Sequence, residues 1–187
     1  MQIGKAGRPK PGEVVCGDWY SINNNDEDEV LIAVADGLGH GPLAADAARE
    51  ACEFVQTLRG ENLEQLIIEC GTRISATRGV ALTLLRILRN TDEMHYAAVG
   101  NVELRAISQN PIKPINYPGI VGRKIRRIRQ TSHRLTGGDI IVIFTDGVSS
   151  RFNLEDYKHL DAQDIANQII ENHGKLHDDA TCIAIKY

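Results

Sequence analysis

Four aspartates of this 187-residue chain stand at the boundaries of apolar segments, where their carboxylates could act together. Asp36 and Asp146 each follow a continuously apolar run, and each is directly followed by a glycine. Asp178 lies just before the last apolar segment, and Asp18 lies within the first extended one. A carboxylate at the end of a buried strand is costly to desolvate unless it pairs with or binds a cation. Four acids delivered to strand ends could therefore converge in one acidic pocket.

The chemistry that such a pocket offers is oxygen-only ligation of hard cations such as Mg²⁺ or Mn²⁺. Two ions about 3.5–4 Å apart could activate a water molecule for attack on phosphorus. The sequence contains no H-E-x-x-H motif and no cysteine cluster that would indicate zinc. The alternative is that each Asp-Gly pair only forms a turn, since both residues favour turns. The residues by themselves favour neither interpretation over the other.

Apolar periodicity predicts the elements that would position these carboxylates. The chain up to about Ser21 is predicted to be one extended segment, followed by a polar turn at residues 23–26. Strands alternating with paired helices indicate sheets sandwiched between helical layers. Strands are predicted at 30–35, 80–88, 94–99 and 102–107, around Ile128, at 140–144 and at 181–185, and helices at 43–58, at 63–74 after a break at Gly60, and at 162–170.

Composition restricts the class of protein. The hydrophobic and charged fractions are those of an ordinary globular chain, so we expect one domain spanning residues 1–187 with no regulatory segment before it. A net charge of -4 argues against general nucleic-acid binding. No apolar run approaches the length of a membrane span, and the first residues lack the apolar core of a signal peptide. Four scattered cysteines indicate reduced thiols, and we expect a cytoplasmic protein that binds neither membrane nor nucleic acid.

Three blocks of sequence resemble the signature motifs of a known family. They are D-G-L-G-H-G at 36–41 before an alanine-rich helix, F-T-D-G-V at 144–148 and H-D-D-A-T at 177–181. In this order they are similar to those of the metal-dependent type-2C serine/threonine phosphatases, and they match the bacterial sporulation and stress-response branch best. Gly17-Asp18 and the segments 79–83 and 96–101 are similar to further motifs of that branch.

The resemblance implies a mixed α/β fold, a four-layer α-β-β-α sandwich of two mainly antiparallel sheets flanked by helices. It implies hydrolysis of phosphoserine or phosphothreonine with two divalent cations, Mn²⁺ or Mg²⁺, and no phosphoenzyme. The implied substrates are phosphorylated regulatory proteins of the stressosome scaffold or antagonist kind. The implied metal ligands are Asp18, Asp36, the carbonyl group of Gly37, Asp146 and Asp178, with Asp179 in a supporting position.

The sequence departs from the family in two places. Leu38 stands where eukaryotic members have a histidine that could act as a general acid, and His40 follows two residues later as a supporting candidate. The phosphate-binding arginine of those members has no clear counterpart, and Lys5, Arg8 and Lys10 are the candidate substitutes. These departures leave open a phosphoprotein-binding regulator with vestigial catalysis. Within the same bacterial branch, a phosphatase of an anti-anti-sigma factor is the other alternative.

A second feature is a run of five basic residues within seven positions. Arginine side chains suit carboxylate and phosphate groups, so the run is a candidate docking surface for an acidic or phosphorylated partner. The alternative is a solvated surface without a partner. The residues of the run are Arg123, Lys124, Arg126, Arg127 and Arg129.

Overall fold

A computed structural model describes residues 1–24, 27–58 and 62–187. Part of the turn predicted at 23–26 and the helix break predicted at Gly60 lie outside the described residues. The elements are β1 (Gln2–Arg8), β2 (Asp18–Asn23), β3 (Glu29–Gly37), α1 (Pro42–Thr57), α2 (Leu63–Arg73), β4 (Val80–Leu88), β5 (Glu93–Val99), β6 (Glu103–Ile107), β7 (Asn116–Tyr117), β8 (Thr131–Arg134), β9 (Ile140–Phe144), a 3₁₀ helix (Leu154–Tyr157), α3 (Ala162–His173) and β10 (Ala180–Lys186).

The strands form two sheets. One has the order β1-β10-β9-β6, and the other has the order β2-β3-β4-β5-β7, with β8 pairing to β5. The strand pairs are antiparallel except β5 with β7. Helices α1 and α2 pack on the larger sheet and α3 packs on the smaller one. This is the predicted four-layer α-β-β-α sandwich.

The position of β3 explains why its residues 30–35 are all apolar. Alternate residues of a strand point to opposite faces of the sheet. Leu31 and Ala33 belong to the core between the larger sheet and α1 and α2, whereas Ile32 and Val34 belong to the core between the two sheets. Both faces are therefore covered, which leaves Asp36 as the first polar side chain at the end of a fully buried strand.

The N-terminal segment differs from the prediction. It forms two strands instead of one, because β1 pairs with β10 in the smaller sheet while β2 pairs with β3 in the larger one. The connection 9–17 crosses from one sheet to the other. Asp18 therefore begins a strand and does not lie inside one. This crossing brings the two sheets together at the end where Asp18 and Asp36 lie.

The strand predicted around Ile128 is also absent. Residues 126–130 have no regular structure, and β8 begins only at Thr131. Ile128 is buried and Ile125 is partly buried against the core under α2, so these two side chains anchor the segment by packing and not by strand pairing. Among the described residues, no helix has the length and apolar character needed to cross a membrane.

Candidate metal centre

The larger sheet supplies two of the four predicted carboxylates, side by side. In the antiparallel register of β2 and β3, Asp18 lies directly opposite Asp36. Residues that face each other across such a pair have their Cβ atoms about 5 Å apart. Two acids at directly opposed positions repel one another, which is unfavourable unless a cation or a proton is shared between them.

The smaller sheet supplies the other two. Asp146 follows the end of β9, and Asp178 precedes the start of β10. The two strands are antiparallel neighbours, and Cys182 of β10 lies opposite Phe144 of β9. The two carboxylates therefore lie at one edge of the sheet. Burial and the charge of Asp178 raise the pKa of Asp146, while Lys175, Asn101 and His177 oppose the rise. Hence Asp146 and Asp178 interact electrostatically.

A threonine that the sequence analysis did not single out connects the two sheets. The Thr145 hydroxyl donates a hydrogen bond of 2.7 Å to Oδ2 of Asp18 and accepts one of 2.9 Å from the backbone N–H of Thr181. Thr145 is fully buried. The only sequence signal was a hydroxyl residue between the end of an apolar strand and an aspartate. Its role is to hold Asp18 from across the gap between the sheets.

The two aspartates of the larger sheet have strongly perturbed acidities. Burial raises the pKa of Asp18 to about 7, although hydrogen bonds from Thr145 and Thr181 oppose the rise. Burial, followed by the charges of Asp18 and of three further carboxylates, raises the pKa of Asp36 to about 8. Burial is the larger cause of both shifts, and the neighbouring carboxylates add to it, so the charged forms of both groups are disfavoured here.

Asp179 lies deeper than its predicted supporting position suggested. It is buried, and its Oδ1 accepts a hydrogen bond of 2.8 Å from the backbone N–H of Lys10. Its Oδ2 is buried with no hydrogen-bond partner among the described residues. A buried carboxylate oxygen without a partner is costly, and a cation would satisfy it.

The glycines of the two Asp-Gly pairs are required for close packing and not for a left-handed backbone conformation, since neither has a positive φ. A Cβ atom on Gly37 would lie 2.2 Å from the carbonyl oxygen of Ala44 in α1, and one on Gly147 would lie 1.6 Å from the carbonyl oxygen of Asp179. Any side chain at either position would therefore push apart the elements that carry the site. Asp36-Gly37 lies within β3 and forms no turn, whereas Asp146-Gly147 does form one, closed by a hydrogen bond from the backbone N–H of Val148 to the carbonyl oxygen of Thr145. Neither pair is only a turn.

The open side of the site is a cleft of about 630 Å³. Asp36, Asp146 and Asp178 line it together with Lys10 and Asn101, whereas Asp18 lies behind it and lines a separate cavity. The Asn101 amide donates a hydrogen bond of 2.6 Å to Oδ2 of Asp146. Asn101 is thus a second residue to which the sequence analysis assigned no role.

The supporting residues divide by position. His40 lines the cleft and its Nδ1 lies 2.7 Å from Oε1 of Glu13. Of the three candidate phosphate-binding residues, Lys10 alone lines the cleft. Arg8 donates to the carbonyl oxygens of Lys175 and Asp178 and so fixes the loop before β10. Lys5 lies over the ring of Tyr20, outside the cleft.

These donors suit a hard divalent cation, because they are oxygens, several are buried, and one has no partner. No group of three or more histidine, cysteine, aspartate or glutamate side chains in the described ranges already lies at the spacing of a closed metal site. The carboxylates nevertheless affect one another's acidity. The carboxylates therefore lie close enough to affect one another's pKa values but too far apart to form a closed metal site. The basic run at 123–129 takes no part in this cleft.

Known proteins are similar to this chain in sequence and in fold. One similar protein is the phosphoserine phosphatase RsbX of Bacillus subtilis (strain 168), which is 29% identical over 142 residues, covering 75% of this chain and 71% of RsbX. A chain from a structural study of the bacterial stressosome, a modular system adapted to control secondary messenger signalling, superposes with a TM-score of 0.91 at 29% identity, covering 97% of each chain.

The crystal structure of RsbX in complex with magnesium superposes with a TM-score of 0.85 at 25% identity, covering 96% of this chain and 92% of that one. The family model for Stage II sporulation protein E (SpoIIE) matches residues 26–187, which include three of the four predicted aspartates. The resemblance of the three Asp-containing blocks to the sporulation and stress-response branch is thereby confirmed. The chain belongs to the SpoIIE family.

Proposed function

We propose that this chain is a metal-dependent phosphatase that removes phosphate from serine or threonine residues of stress-response regulatory proteins. The observation that carries the proposal is the pair Asp18 and Asp36, which lie opposite each other in one sheet, while the charges of Asp146 and Asp178 of the other sheet help to raise the pKa of Asp36. Membership of the SpoIIE family and similarity to a phosphoserine phosphatase support it.

In this proposal the cofactors would be two divalent cations, Mn²⁺ or Mg²⁺. Their ligands are Asp18, Asp36, the carbonyl group of Gly37, Asp146 and Asp178. When bound, the metal supplies the positive charge that activates water and neutralises the phosphate group. The structure of RsbX with magnesium supports the class of metal.

Other residues hold these ligands in place. Thr145 fixes one oxygen of Asp18, and Asn101 fixes one oxygen of Asp146. The ammonium group of Lys175 donates to the backbone carbonyl group of Asp146. Partners of this kind orient metal ligands, and their loss commonly weakens metal binding 10–100-fold. Asp179 and His40 support the site from its inner side and its rim.

Lys10 is proposed to bind the substrate phosphate. The backbone N–H of Lys10 donates a hydrogen bond to Asp179. Lys10 also lines the cleft together with Asp36 and Asp178. An ammonium group provides a point charge for phosphate without the paired donors of arginine. Lys10 would thus replace the arginine that the sequence lacks.

The substrate class follows from the shape of the cleft and from the relatives. The cleft is open to the surface, so it admits a phosphorylated side chain on a protein segment. We propose that the substrates are phosphorylated regulatory proteins of the stressosome kind. The similarity to RsbX and to the chain from the stressosome study supports this proposal. We further propose that residues 1–187 act as one phosphatase domain in the cytoplasm.

Hydrolysis of p-nitrophenyl phosphate tests the activity without assuming a protein substrate. Purified protein should turn it over with added Mn²⁺ or Mg²⁺ and lose the activity in EDTA. Asp146→Asn should lose metal-dependent turnover while its far-UV circular dichroism stays that of the wild type. If the wild type binds Mn²⁺ in calorimetry but turns over neither this substrate nor a phosphoserine protein, the vestigial regulator becomes the better interpretation.

A further inference from the structure

A groove of about 710 Å³ lies apart from the acidic cleft, between α2 and the segment 122–128. Ile68, Thr72 and Ser75 of the helical side face Ile125, Arg126 and Arg127 of the segment. We refer to it as the basic groove. We propose that it binds an acidic segment of the phosphoprotein substrate, next to the phosphorylated residue; this inference rests on the proposed phosphatase function.

The positive charge of the basic groove is exposed and only partly neutralised. All five basic residues of the run are exposed, because Ile125 and Ile128 take the inward positions. Three of them, Arg123, Arg126 and Arg127, line the groove. Arg123 donates hydrogen bonds to the carbonyl oxygens of Thr77 and Arg78, whereas within the described ranges no hydrogen bond or ion pair involves the side chain of Arg126. The acidic lining residue, Glu64, already accepts a hydrogen bond from the backbone N–H of Gln130.

The walls of the groove are fixed before any partner binds. The side chain of Gln130 accepts a hydrogen bond of 2.9 Å from the backbone N–H of Leu63, and Glu64 accepts one of 2.8 Å in return. A Cβ atom on Gly71 would lie 3.3 Å from the backbone nitrogen of Gly122, so helix and segment are in close contact. A preformed groove needs little ordering on binding, which favours affinity.

The groove and the cleft share one strip of chain. Gly119 and Ile120 line the cleft, and the residues from Gly122 onward line the groove. The two parts are joined by an isolated bridge between Gly119 and Ile125. A substrate segment that places its phosphorylated side chain in the cleft can therefore continue along the strip into the groove.

Charge identifies the occupant. The chain as a whole carries a net charge of -4, whereas three arginines and one glutamate line the groove and two further basic residues of the run lie beside it in sequence. An acidic segment would be repelled by most of the surface and attracted here, which orients the substrate on encounter. Ile68 is exposed in the groove and offers contact to an apolar residue of the same segment. Stacking positions for nucleic-acid bases are not interleaved with the basic residues of the run.

Peptide binding tests the groove independently of catalysis. The probe is a fluorescein-labelled, unphosphorylated peptide with a run of glutamates and one leucine, compared with the same peptide carrying glutamines, in fluorescence anisotropy. We expect the glutamate peptide to bind more tightly, and Arg126→Glu/Arg127→Glu to weaken it about 10-fold or more, as loss of charged hot-spot contacts does. Lys113→Glu/Lys158→Glu makes the same change of charge at exposed sites outside the groove and should alter the Kd by less than about 2-fold.

Phosphoserine versions of the two peptides add the catalytic readout. The wild type should show a higher kcat/KM for the glutamate peptide, and the groove variant should bring the ratio of the two values close to one. Equal binding of both peptides, or an unchanged ratio in the groove variant, would overturn the proposal. So would tighter binding of a single-stranded oligonucleotide that depends on Arg126 and Arg127. Failure to hydrolyse p-nitrophenyl phosphate would count against the phosphatase, while the anisotropy result would still decide the groove.

Discussion

The stability of the metal-free protein should fall as the pH rises, because of the buried carboxylates. The pKa of Asp36 is about 8 in the folded chain, against an ordinary value of 3.8, and that of Asp18 is about 7. Both groups therefore bind a proton more tightly in the folded state than in the unfolded state. Between about pH 4 and pH 8 the folded state holds more protons, so the free energy of unfolding decreases with each unit of pH.

The magnitude for Asp36 can be worked from its pKa. One unit corresponds to about 1.4 kcal/mol, so full ionisation of this group costs on the order of 5 kcal/mol. Part of that cost is repulsion shared with the other carboxylates, and removing one charge relieves only part of it. We expect Asp36→Asn to raise the free energy of unfolding at pH 8 by about 2–4 kcal/mol, and the Tm by roughly 5–15 °C. The same variant should be inactive.

Thermal and urea unfolding, followed by circular dichroism from pH 5 to pH 8.5 in EDTA, measure this effect. Asp46→Asn is the control, since the Asp46 side chain is exposed on α1. Added Mn²⁺ should remove the fall in stability, because the metal neutralises the charge and competes with protons. Wild-type stability that stays level or rises over this range, together with an Asp36→Asn variant no more stable than the wild type, would refute the electrostatic argument.

Three further substitutions test the parts that hold the site. Thr145→Val leaves Asp18 without its donor, so it should cost about 1–3 kcal/mol in urea unfolding and raise the Mn²⁺ concentration needed for half-maximal activity. Lys10→Met should lower kcat/KM for p-nitrophenyl phosphate about 10-fold or more, with Mn²⁺ affinity in calorimetry kept. Gly147→Ala should cost at least about 3 kcal/mol, because its Cβ atom meets a backbone carbonyl group. Gly137→Ala, whose Cβ atom meets nothing within 4 Å, should be nearly neutral in the same assay.

Much of the fold could be predicted from local pattern. The period at which apolar residues recur shows which faces of an element are buried. It therefore predicted β3 from its continuous apolar run and α1, α2 and α3 from their helical spacing. The division of the N-terminal segment into β1 and β2 was not predictable, because each strand pairs with a partner far along the chain. The strand predicted around Ile128 was wrong for a related reason. Ile128 and Ile125 anchor a loop by packing, and two buried residues do not specify a strand.

The site was predictable where an acid ends a buried strand, and not where packing decides. That Asp36 and Asp146 line one cleft could be anticipated, because a carboxylate after an apolar run stands out in the sequence. Asp18 lies directly opposite Asp36 because of the register in which β2 pairs with β3. That register cannot be deduced from the sequence of either strand alone. Asp178 and Asp179 are adjacent in sequence, and only the position of Lys10 shows that Asp179 is the one held inside. Thr145 bonds across the gap between sheets, a contact between residues far apart in the chain.

The two Asp-Gly pairs have a common physical meaning that differs from the one their composition suggests. Gly37 packs against the backbone of α1, which follows the loop that lines the cleft, and Gly147 packs against the carbonyl group of Asp179. In each case the residue after the acid is the point where the next element of the site approaches most closely. A side chain there would separate the carboxylates from their neighbours without touching them. The glycine therefore lets a neighbouring backbone approach closely beside each acid, and this explains why the same dipeptide stands at the end of β3 and just after β9.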